Sequence, residues 1–372
     1  MSGETVVVVG GGIAGLATAW QLARLGARVC LVEMEPAAAT HASGRNAAIF
    51  RSVDMHPDTA GLATRSRALL NDLGVPGALR ARGVLLLGPE DRVDALATRA
   101  REHTVRHERL DPNGCARRAP LVAGGGGTGG LWVPGDGVLD VHAVVQALLG
   151  RLRAAGAEVL LGCPVALSVT PGGAQVRLAD GTVRQGGAVV LAAGAWSSAL
   201  AGRAGLGLPL RAMRRHLAHL GGVENVDAEH PVVWGTGPDE VYFRPESGGL
   251  LASPCDEAEG PPGEPPIDET VAALLAERLG RLAPAVAGAQ LRRLWTCQRT
   301  FAPDREFVLG PDPRAPSVVW ATGLGGRGMT CGLALGELAA RAALGLAPAP
   351  AAMLPGRLLP PAPGADGVAA GG

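Results

Sequence analysis

The sequence contains no lysine, since all 34 of its basic residues are arginine. Without a lysine amine the chain cannot form an internal Schiff base or attach pyridoxal, and a lysine cannot activate oxygen. The 34 arginines are balanced by 34 acidic residues. No net charge therefore favours nucleic acid or a membrane surface as a partner, and we expect a small-molecule substrate.

Cysteines are few and scattered. No two of them form a C-x-x-C pair, and they stand at Cys30, Cys115, Cys163, Cys255, Cys297 and Cys331. This spacing predicts neither a disulfide framework nor a zinc site, and we expect no metal site elsewhere. The chain also lacks an apolar run of membrane length and a charged leader at its start. We therefore expect a cytoplasmic protein without an integral membrane segment.

The length of 372 residues and the hydrophobic content of 47% allow a large core and suggest two interleaved lobes. The valines at positions 6–9 are typical of a buried parallel strand, and a glycine turn follows them. Helical spacing over residues 13–25 and a second strand over 28–33 complete a βαβ unit. Further strand-turn-helix patterns at residues 188–200 and 318–344 predict other parts of one α/β, Rossmann-type sheet.

Segments of a different texture predict a second lobe, mainly of antiparallel sheet. They are Val84–Leu87 and residues 131–133 and 215–253, which carry short strand-like stretches bounded by Gly and Pro. A helix over Val141–Ala154, capped by Asp140, then returns the chain to the nucleotide lobe through residues 158–161.

These patterns divide the chain. We expect a discontinuous nucleotide-binding domain at residues 1–83, 135–210 and 300–346, and a substrate domain at 84–134 and 211–299. Residues 347–372 are dominated by Ala, Pro and Gly, a composition that predicts a disordered tail.

The glycine turn has the dinucleotide-binding spacing Gly10-x-Gly12-x-x-Gly15 between a strand and a helix. Side chains at these positions would collide with a pyrophosphate at the helix N-terminus. Glu33 ends the second strand at the distance where a carboxylate can bind the adenosine ribose. That carboxylate also disfavours the 2′-phosphate of NADP.

The segment after this unit, Thr40-His41-Ala42-Ser43-Gly44-Arg45-Asn46-Ala47, is rich in small and hydrogen-bonding residues, as needed near a phosphate or ring edge. Here the chain resembles the D-amino-acid oxidase-like (DAO) superfamily, which includes glycine and sarcosine oxidases and D-arginine dehydrogenase. Three further motifs carry the resemblance to the far end of the chain: Ala192-Ala193-Gly194-Ala195-Trp196, Trp295-x-Cys297-x-Arg299-x-x-x-Pro303-Asp304 and Gly323-x-Gly325-Gly326-Arg327-Gly328-Met329.

The resemblance implies FAD as the cofactor. It implies that residues 42–47 face the flavin and pyrophosphate, that Val165 lies on the adenine side, and that residues 325–330 approach the pyrimidine edge of the flavin. The implied cofactor residues are Gly10, Gly12, Ile13, Ala14, Gly15, Glu33, Ala42, Ser43, Gly44, Arg45, Asn46, Ala47, Val165, Ala193, Gly194, Trp196, Cys297, Gly325, Gly326, Arg327, Gly328, Met329 and Thr330. A glycine cluster that opens a helix there would also direct its amides toward charge on the reduced flavin.

Three residues resemble the substrate clamp of D-arginine dehydrogenase and its relatives: Arg215, Tyr242 and Arg299. Guanidinium groups bind a carboxylate in a bidentate manner, which would fix the α-carbon against the flavin. Arg51 is a further candidate for a carboxylate or flavin contact. The alternatives are a core position for Tyr242, solvated arginines, and a salt bridge from Arg51 to Asp54.

Histidines are weaker candidates. His41, His216 and His219 could accept a proton, but a structural histidine with satisfied hydrogen bonds is more common than a catalytic base.

The chain departs from family patterns at three points. Cys297 has the spacing to Pro303-Asp304 of the cysteine that carries flavin covalently in monomeric sarcosine oxidases, and the alternative is an unreactive buried thiol. Gly83 stands near the place of the acidic residue that binds the guanidinium in the D-arginine enzyme, which favours an apolar pocket and a neutral amino acid. The missing lysine favours a dehydrogenase, or another cation in the oxygen-activating role.

We therefore expect oxidation of an α-amino acid or N-alkyl amino acid. The neutral amine would release a hydride from its α-carbon to flavin N5, and the imine would hydrolyse in water. The electron acceptor would be O2 or another, unidentified acceptor. Three alternatives stand: oxidation of a 2-hydroxy acid, a flavin-binding subunit without catalysis, and an NAD-dependent Rossmann dehydrogenase.

Overall fold

A computed structural model describes residues 4–125, 129–223 and 226–360. Within these ranges the strands are β1 (Thr5–Val9), β2 (Arg28–Val32), β3 (Ile49–Phe50), β4 (Leu79–Arg80), β5 (Val84–Leu87), β6 (Glu108–Leu110), β7 (Gly130–Val133), β8 (Gly137–Leu139), β9 (Glu158–Leu160), β10 (Val165–Thr170), β11 (Gly173–Leu178), β12 (Val183–Gln185), β13 (Ala188–Leu191), β14 (Arg211–Gly221), β15 (Val232–Gly235), β16 (Val241–Glu246), β17 (Gly249–Ser253), β18 (Ala258–Gly260), β19 (Gln290–Phe301), β20 (Val308–Asp312) and β21 (Ala315–Thr322). The helices are α1 (Ile13–Arg24), α2 (Thr59–Leu73), α3 (Glu90–Glu102), α4 (Pro112–Arg118), α5 (Val141–Ala154), α6 (Ser197–Gly202), α7 (Val271–Leu282) and α8 (Gly328–Ala343). None of the helices in these ranges has the length and apolar character to cross a membrane.

A six-stranded sheet forms the first layer, in the order β20–β21–β13–β1–β2–β9. Its neighbours are parallel except for β20 and β21. The predicted βαβ unit is confirmed as β1–α1–β2, and the three distant strand-helix patterns do meet in this one sheet. The α/β, Rossmann-type fold is thereby confirmed.

Alternate residues of β1 face opposite sides of this sheet. Val6 and Val8 pack into a core with helices α1, α5 and α8. Val7 and Val9 pack on the other side, where β10 and β11 of a small antiparallel sheet contribute Leu167 and Val176. Burial of both faces explains why the strand is a continuous valine run rather than an alternating one.

Glycines let α8 cross closely over α1. A Cβ added to Gly336 would lie 2.5 Å from the Cβ of Ala17, and one added to Gly332 would lie 2.9 Å from Cγ1 of Ile13. Because α1 leaves the nucleotide-binding turn, this contact fixes the start of α8 next to that turn. The predicted cap of α5 is also confirmed, since the Asp140 carboxylate accepts a hydrogen bond from the amide of Ala143 at 2.9 Å.

The second large sheet has the order β18–β14–β17–β16–β15–β5–β7–β6, and β19 pairs with β14. All of its pairs are antiparallel except β15 with β5. Alternation places Phe243 in the core beneath α7 and Tyr242 on the opposite face, in one cluster with Cys297 and Ala47. That opposite face meets the loop that follows β2.

The prediction of a disordered tail is wrong for residues 347–360. Short 3₁₀ helices at Ala351–Met353 and Pro355–Leu358 pack against β20, and Met353 is buried. Gly310 supplies the space, because a Cβ there would lie 2.9 Å from Cδ2 of Leu354. Composition alone missed these few apolar anchors. The remaining part of the predicted tail, residues 361–372, lies outside the described residues.

Candidate active site

The turn between β1 and α1 brings backbone atoms together that side chains would separate. Gly10 has a φ of +110°, and a Cβ there would lie 2.5 Å from the carbonyl oxygen of Ala192. A Cβ on Gly15 would lie 1.8 Å from the carbonyl oxygen of Gly10. Helix α1 can therefore begin directly against the strand, and Gly12 and Ile13 at its start line the adjacent cavity.

Glu33 lies directly after β2 and has both carboxylate oxygens positioned by backbone amides. Oε2 accepts from the amide of Gly11 at 2.5 Å, and Oε1 accepts from the amide of Glu35 at 2.8 Å. The side chain is buried, and it borders the cavity. Each oxygen has a second lone pair, so this carboxylate can still accept hydrogen bonds from ribose hydroxyls.

The loop at residues 40–47 is held in place by its own polar side chains. Ser43 Oγ accepts from the amide of Ile13 at 3.0 Å. The Asn46 carboxamide donates to the carbonyl of Ser43 at 2.7 Å and accepts from the amide of Ala48 at 2.6 Å. A Cβ on Gly44 would lie 2.2 Å from the Ala39 carbonyl oxygen. The loop is thus fixed against the start of α1.

These parts surround an elongated cavity of about 320 Å³, the first cavity, which runs from Glu33 to the start of α8. The predicted cofactor residues that line it are Gly10, Gly12, Ile13, Ala14, Glu33, Ala42, Ser43, Arg45, Asn46, Val165, Ala193, Gly194, Trp196, Cys297, Gly325, Gly326, Gly328 and Met329. Of the other predicted cofactor residues, Gly15 and Gly44 pack behind the wall, whereas Ala47, Arg327 and Thr330 line a second cavity.

Sequence reasoning missed some of the wall of the first cavity. Pro164, Gln298, Gly263 and Pro265 also line it. Gln298 Oε1 accepts from the amide of Gly263 at 3.0 Å, and its amide nitrogen donates to the carbonyl of Pro261 at 2.6 Å. No motif marks this loop, because its position depends on contacts with β19 far along the chain.

The N-terminus of α8 faces the junction of the two cavities. Gly325 and Gly326 have φ values of +54° and +88°, which turn the chain from β21 into the helix. The amides at the start of this 16-residue helix carry a partial positive charge. Gly328 and Met329 line the first cavity, so that charge is directed toward a bound group there.

The second cavity, of about 160 Å³, lies beside the first and brings all four predicted catalytic residues together: Arg51, Arg215, Tyr242 and Arg299. Asn46, Arg299, Gly325, Gly326 and Met329 line both cavities and so mark the junction between them. Residues that sequence reasoning missed also line the second cavity, namely Trp234, Glu240, Glu257 and Arg305. None of these stands in a motif, and only pairing between distant strands brings them here.

Arg299 is the cation at the junction. It lies on β19, is 9% exposed, and borders both cavities. Among the described residues, no hydrogen-bond or ion-pair partner approaches its guanidinium. A buried guanidinium without a counter-ion is costly unless a ligand supplies the negative charge.

Arg215 has a partner already. Its Nη2 donates to Glu257 at 2.5 Å, and Arg305 pairs with the same carboxylate from the solvent side. Burial would lower the pKa of Arg215, but the surrounding acidic groups, Glu240 and Glu257 among them, raise it overall. The guanidinium therefore stays charged and adds positive potential to the cavity.

Asp54 joins two other arginines of the second cavity. Its carboxylate lies 3.0 Å from Nε of Arg327 and 3.5 Å from Nη2 of Arg51. Burial would raise the pKa of Asp54, but both guanidinium groups hold it below its ordinary value. The salt bridge weighed as the alternative for Arg51 is thus present, and Arg51 also lies over the Trp234 ring at 4.0 Å.

Tyr242 lies beside this group and stacks on Trp234, with ring centroids 4.3 Å apart. It is 3% exposed and belongs to a buried cluster, as the alternative of a core position predicted. It also lines the second cavity, so both descriptions apply to it. Burial raises the pKa of Tyr242 to about 12. Its phenol therefore stays protonated and can donate a hydrogen bond to an anionic ligand.

The apolar pocket expected from Gly83 is not found. Gly83 has a φ of +85°, and a Cβ there would lie 1.8 Å from Cη2 of Trp132, away from the second cavity. Carboxylates reach the cavity instead from the segments before β16 and before β18, as Glu240 and Glu257. The expectation failed because it assumed that only one chain position could supply the acidic group.

The candidate histidines have structural partners. The His216 ring bonds to Asp256 Oδ2 at 2.7 Å through Nδ1 and accepts from the amide of Asp268 at 2.9 Å through Nε2. His41 contacts Glu35 and lies against Trp196 beside the first cavity. No histidine of the described ranges lines the second cavity.

A group that could hold a metal ion is found at His56, Asp58 and Glu306. Both nitrogens of the His56 ring have protein partners: Nε2 lies 3.1 Å from Glu306 Oε1, and Nδ1 accepts from the amide of Asp58 at 3.3 Å. Both ring nitrogens of His56 are therefore already occupied by hydrogen bonds within the protein.

Comparison with known proteins agrees with a flavin-binding fold. The model of the DAO family, described as FAD dependent oxidoreductase, matches residues 5–342. The chain therefore belongs to the DAO family of FAD-dependent oxidoreductases, and FAD is its cofactor.

Relatives cover nearly the whole chain. It is 26% identical over 363 residues to the monomeric sarcosine oxidase of Bacillus sp. (strain B-0618), covering 91% of this chain and 92% of the relative. It is also 26% identical over 360 residues to the N-methyl-L-tryptophan oxidase of Shigella dysenteriae serotype 1 (strain Sd197), covering 90% and 93%. Among solved structures, glycine oxidase from Geobacillus kaustophilus has a TM-score of 0.78 at 23% identity, covering 92% of this chain and 95% of that one.

Proposed function

We propose that this protein oxidises an amino acid, with a primary or N-alkyl α-amine, whose carboxylate binds Arg299. The observation that carries the proposal is the buried guanidinium of Arg299, which lacks a partner in the described ranges and stands where the two cavities meet. An anion bound beside such a group offsets the cost of its desolvation. The names of the relatives, sarcosine oxidase and N-methyl-L-tryptophan oxidase, support an amino acid as the source of that anion.

The first cavity fits FAD. Its glycine turn has no room for side chains, Glu33 presents a buried carboxylate at the ribose end, and the start of α8 presents amides at the other end. We therefore assign the pyrophosphate to the N-terminus of α1 and the flavin ring to the end near Gly325 and Met329. When bound, FAD supplies a hydride acceptor at its N5.

The residues of the second cavity would hold the substrate against that acceptor. Arg299 would bind the carboxylate in a bidentate manner, and Arg51 and Arg215 would add positive potential while their own carboxylate partners keep them in place. Tyr242 would donate a hydrogen bond from its phenol. Holding the carboxylate at the junction would place the α-carbon beside the first cavity. This fixed orientation of the reacting atoms would raise the rate.

Proton transfer would fall to the solvent. No described histidine lines the second cavity, and Tyr242 stays protonated up to about pH 12. The substrate amine must therefore arrive neutral or lose its proton to water. The product imine would hydrolyse to a keto acid or aldehyde and an amine. This proposal implies that the rate rises with pH toward the pKa of the substrate amine.

The electron acceptor follows from the absence of lysine in the sequence. We propose an acceptor other than O2, because the substrate carboxylate would occupy Arg299 and the other arginines of the second cavity are held in ion pairs. We further propose that residues 1–83, 135–210 and 300–346 act as the FAD-binding domain and residues 84–134 and 211–299 as the substrate domain.

Cys297 is proposed to carry the flavin covalently. Cys297 lies on β19, opposite Arg215 in the strand register, and it lines the first cavity. Among the described residues, the one hydrogen bond of its thiol is donated to the carbonyl of Arg215 at 3.8 Å. Acid precipitation of the yellow protein tests this. Colour in the pellet, lost to the supernatant in Cys297→Ala, supports the link, and colour in the supernatant of both proteins contradicts it.

The reaction is tested by mixing the purified protein anaerobically with D-, L- and N-methyl amino acids and with 2-hydroxy acids. Bleaching of the flavin band by an amino acid, with release of ammonia or a primary amine, supports the proposal. Bleaching by hydroxy acids alone would support the second candidate, which a partial relative favours: the L-2-hydroxyglutarate dehydrogenase of Salmonella houtenae, 28% identical over 191 residues and covering 47% of this chain and 44% of that one. No bleaching by any acid would overturn both.

A further inference from the structure

The charged groups of the second cavity are mostly paired with one another. Arg51 and Arg327 share Asp54, and Arg215 and Arg305 share Glu257. Within the part of the chain that the structure describes, Arg299 and Glu240 are the cation and the anion of the cavity that make no salt bridge, and Glu240 acts on Arg215 only over a longer distance. A ligand that brings a carboxylate to Arg299 and a cation to Glu240 is complementary to both groups.

Glu240 is held in place by hydrogen bonds rather than by a salt bridge. Its Oε1 accepts a hydrogen bond from Trp234 Nε1 at 2.7 Å, and its backbone carbonyl accepts from Arg278 Nη1 at 3.0 Å. Trp234 is itself fixed between the Tyr242 ring and the Arg51 guanidinium. The carboxylate is thus oriented by an indole N–H and keeps lone pairs for a further donor.

These two groups lie at different parts of the cavity. Arg299 lines both cavities, whereas Glu240 and Trp234 line only the second. Glu240 therefore lies away from the junction at which a substrate α-carbon would meet the flavin. A group that reaches Glu240 from a carboxylate on Arg299 belongs to the side chain of the substrate.

We infer that Glu240 selects amino acids with a cationic side chain, an ammonium or a guanidinium, which it binds while Arg299 binds the carboxylate. The inference rests on the proposed function and names the substrate class that this function leaves open. It replaces the neutral amino acid expected from Gly83. Unlike the α-amine, a side-chain cation can stay protonated during the reaction, so its ion pair with Glu240 persists throughout.

The test compares isosteric substrates, lysine with 2-aminoheptanoate and ornithine with norleucine, each as D- and L-forms. We expect the wild-type protein to prefer the cationic member of each pair in kcat/KM. In Glu240→Gln that preference should fall by about 10- to 100-fold, which is the range expected when a charged hydrogen bond is lost. Glu259→Gln, an exposed carboxylate next to Arg211, is the matched control and should leave the preference unchanged.

A binding measurement without turnover complements the kinetics. Neither 5-aminopentanoate nor pentanoate has an α-amine to oxidise, and each should perturb the flavin spectrum when its carboxylate binds. We expect the aminated acid to bind more tightly to the wild-type protein, and the difference to disappear in Glu240→Gln. If that variant fails to fold, Trp234→Phe removes the N–H that orients the carboxylate and keeps an aromatic ring beside Tyr242, and a smaller loss of preference is expected.

The outcomes separate the two proposals. If no amino acid bleaches the flavin, the proposed function fails. If neutral and cationic amino acids react equally well and Glu240→Gln changes nothing, the function stands and the role of Glu240 is refuted. Equal losses of kcat/KM for both members of each pair would place Glu240 at the α-amine, which also overturns the inference.

Discussion

Replacing Arg299 with methionine separates a ligand-binding arginine from a structural one. Methionine is an uncharged, flexible side chain that can fill most of the space of the arginine on β19, and it needs no counter-ion. Arg293→Met is the matched control, because Arg293 lies on the same strand and is exposed. The two variants make the same chemical change, one at the cavity junction and one in solvent.

The expected change in Kd follows from the contacts of Arg299. A buried carboxylate that loses its guanidinium partner typically loses about 3 kcal/mol of binding free energy, so Kd for a substrate carboxylate should rise roughly 100-fold. Stability should respond in the opposite direction. Since the guanidinium has no partner in the described chain, replacing it removes an uncompensated buried charge, and Tm should stay level or rise by about 1–2 °C.

Two assays measure these quantities. Titration of the flavin spectrum with pentanoate gives Kd without turnover, and a thermal melt of the FAD-loaded protein gives Tm. Arg293→Met should match the wild type in both. A fall in Tm of several degrees with an unchanged Kd would show that Arg299 supports the fold, and the assignment of the carboxylate site would then be wrong.

Two further predictions concern stability. Burial raises the pKa of Asp136 to about 6, against hydrogen bonds from the amide and hydroxyl of Ser52 that lower it. In the folded chain Asp136 thus keeps its proton to a higher pH than in the unfolded chain. Its contribution of roughly 3 kcal/mol to the free energy of unfolding is therefore present below about pH 4 and is lost as the pH rises through 6. Urea unfolding at a series of pH values should show this fall, and Asp136→Asn should remove it, whereas the same pH dependence in both proteins would exclude Asp136 as the source. Gly336→Ala should lower the free energy of unfolding by about 2 kcal/mol, because its Cβ would lie 2.5 Å from that of Ala17. Gly150→Ala, within α5 and with open space around its Cβ, should instead raise it by about 0.5–1 kcal/mol, and equal effects at both glycines would contradict the close crossing of α1 and α8.

The nucleotide-binding half could be predicted because its signals are local. A valine run, a glycine turn and a helix follow one another within 25 residues of the N-terminus, and each element has its own sequence pattern. Glu33 could be placed because it ends the second strand of the βαβ unit, at the same edge of the sheet as the glycine turn. The first cavity then collects most of the residues that the resemblance implied.

Some of the predicted cofactor residues do not line the first cavity. Gly15 and Gly44 pack against backbone carbonyls, and Ala47, Arg327 and Thr330 line the second cavity rather than the first. A motif fixes where a residue stands along the chain. The side of a turn that faces a cavity depends on the elements packed against that turn.

Sequence by itself determined the α/β class of the protein, the cofactor turn and the arginines worth testing, since these depend on local pattern and residue chemistry. The tertiary structure alone decided which arginine is free. Arg214 pairs with Asp268 and Arg215 with Glu257, while Arg299 has no such partner among the described residues. Likewise, the approach of β15 and β16 brings Glu240 and Trp234 to the second cavity. Charge pairing across long sequence separations is a property of the packed chain, so no local pattern can reveal it.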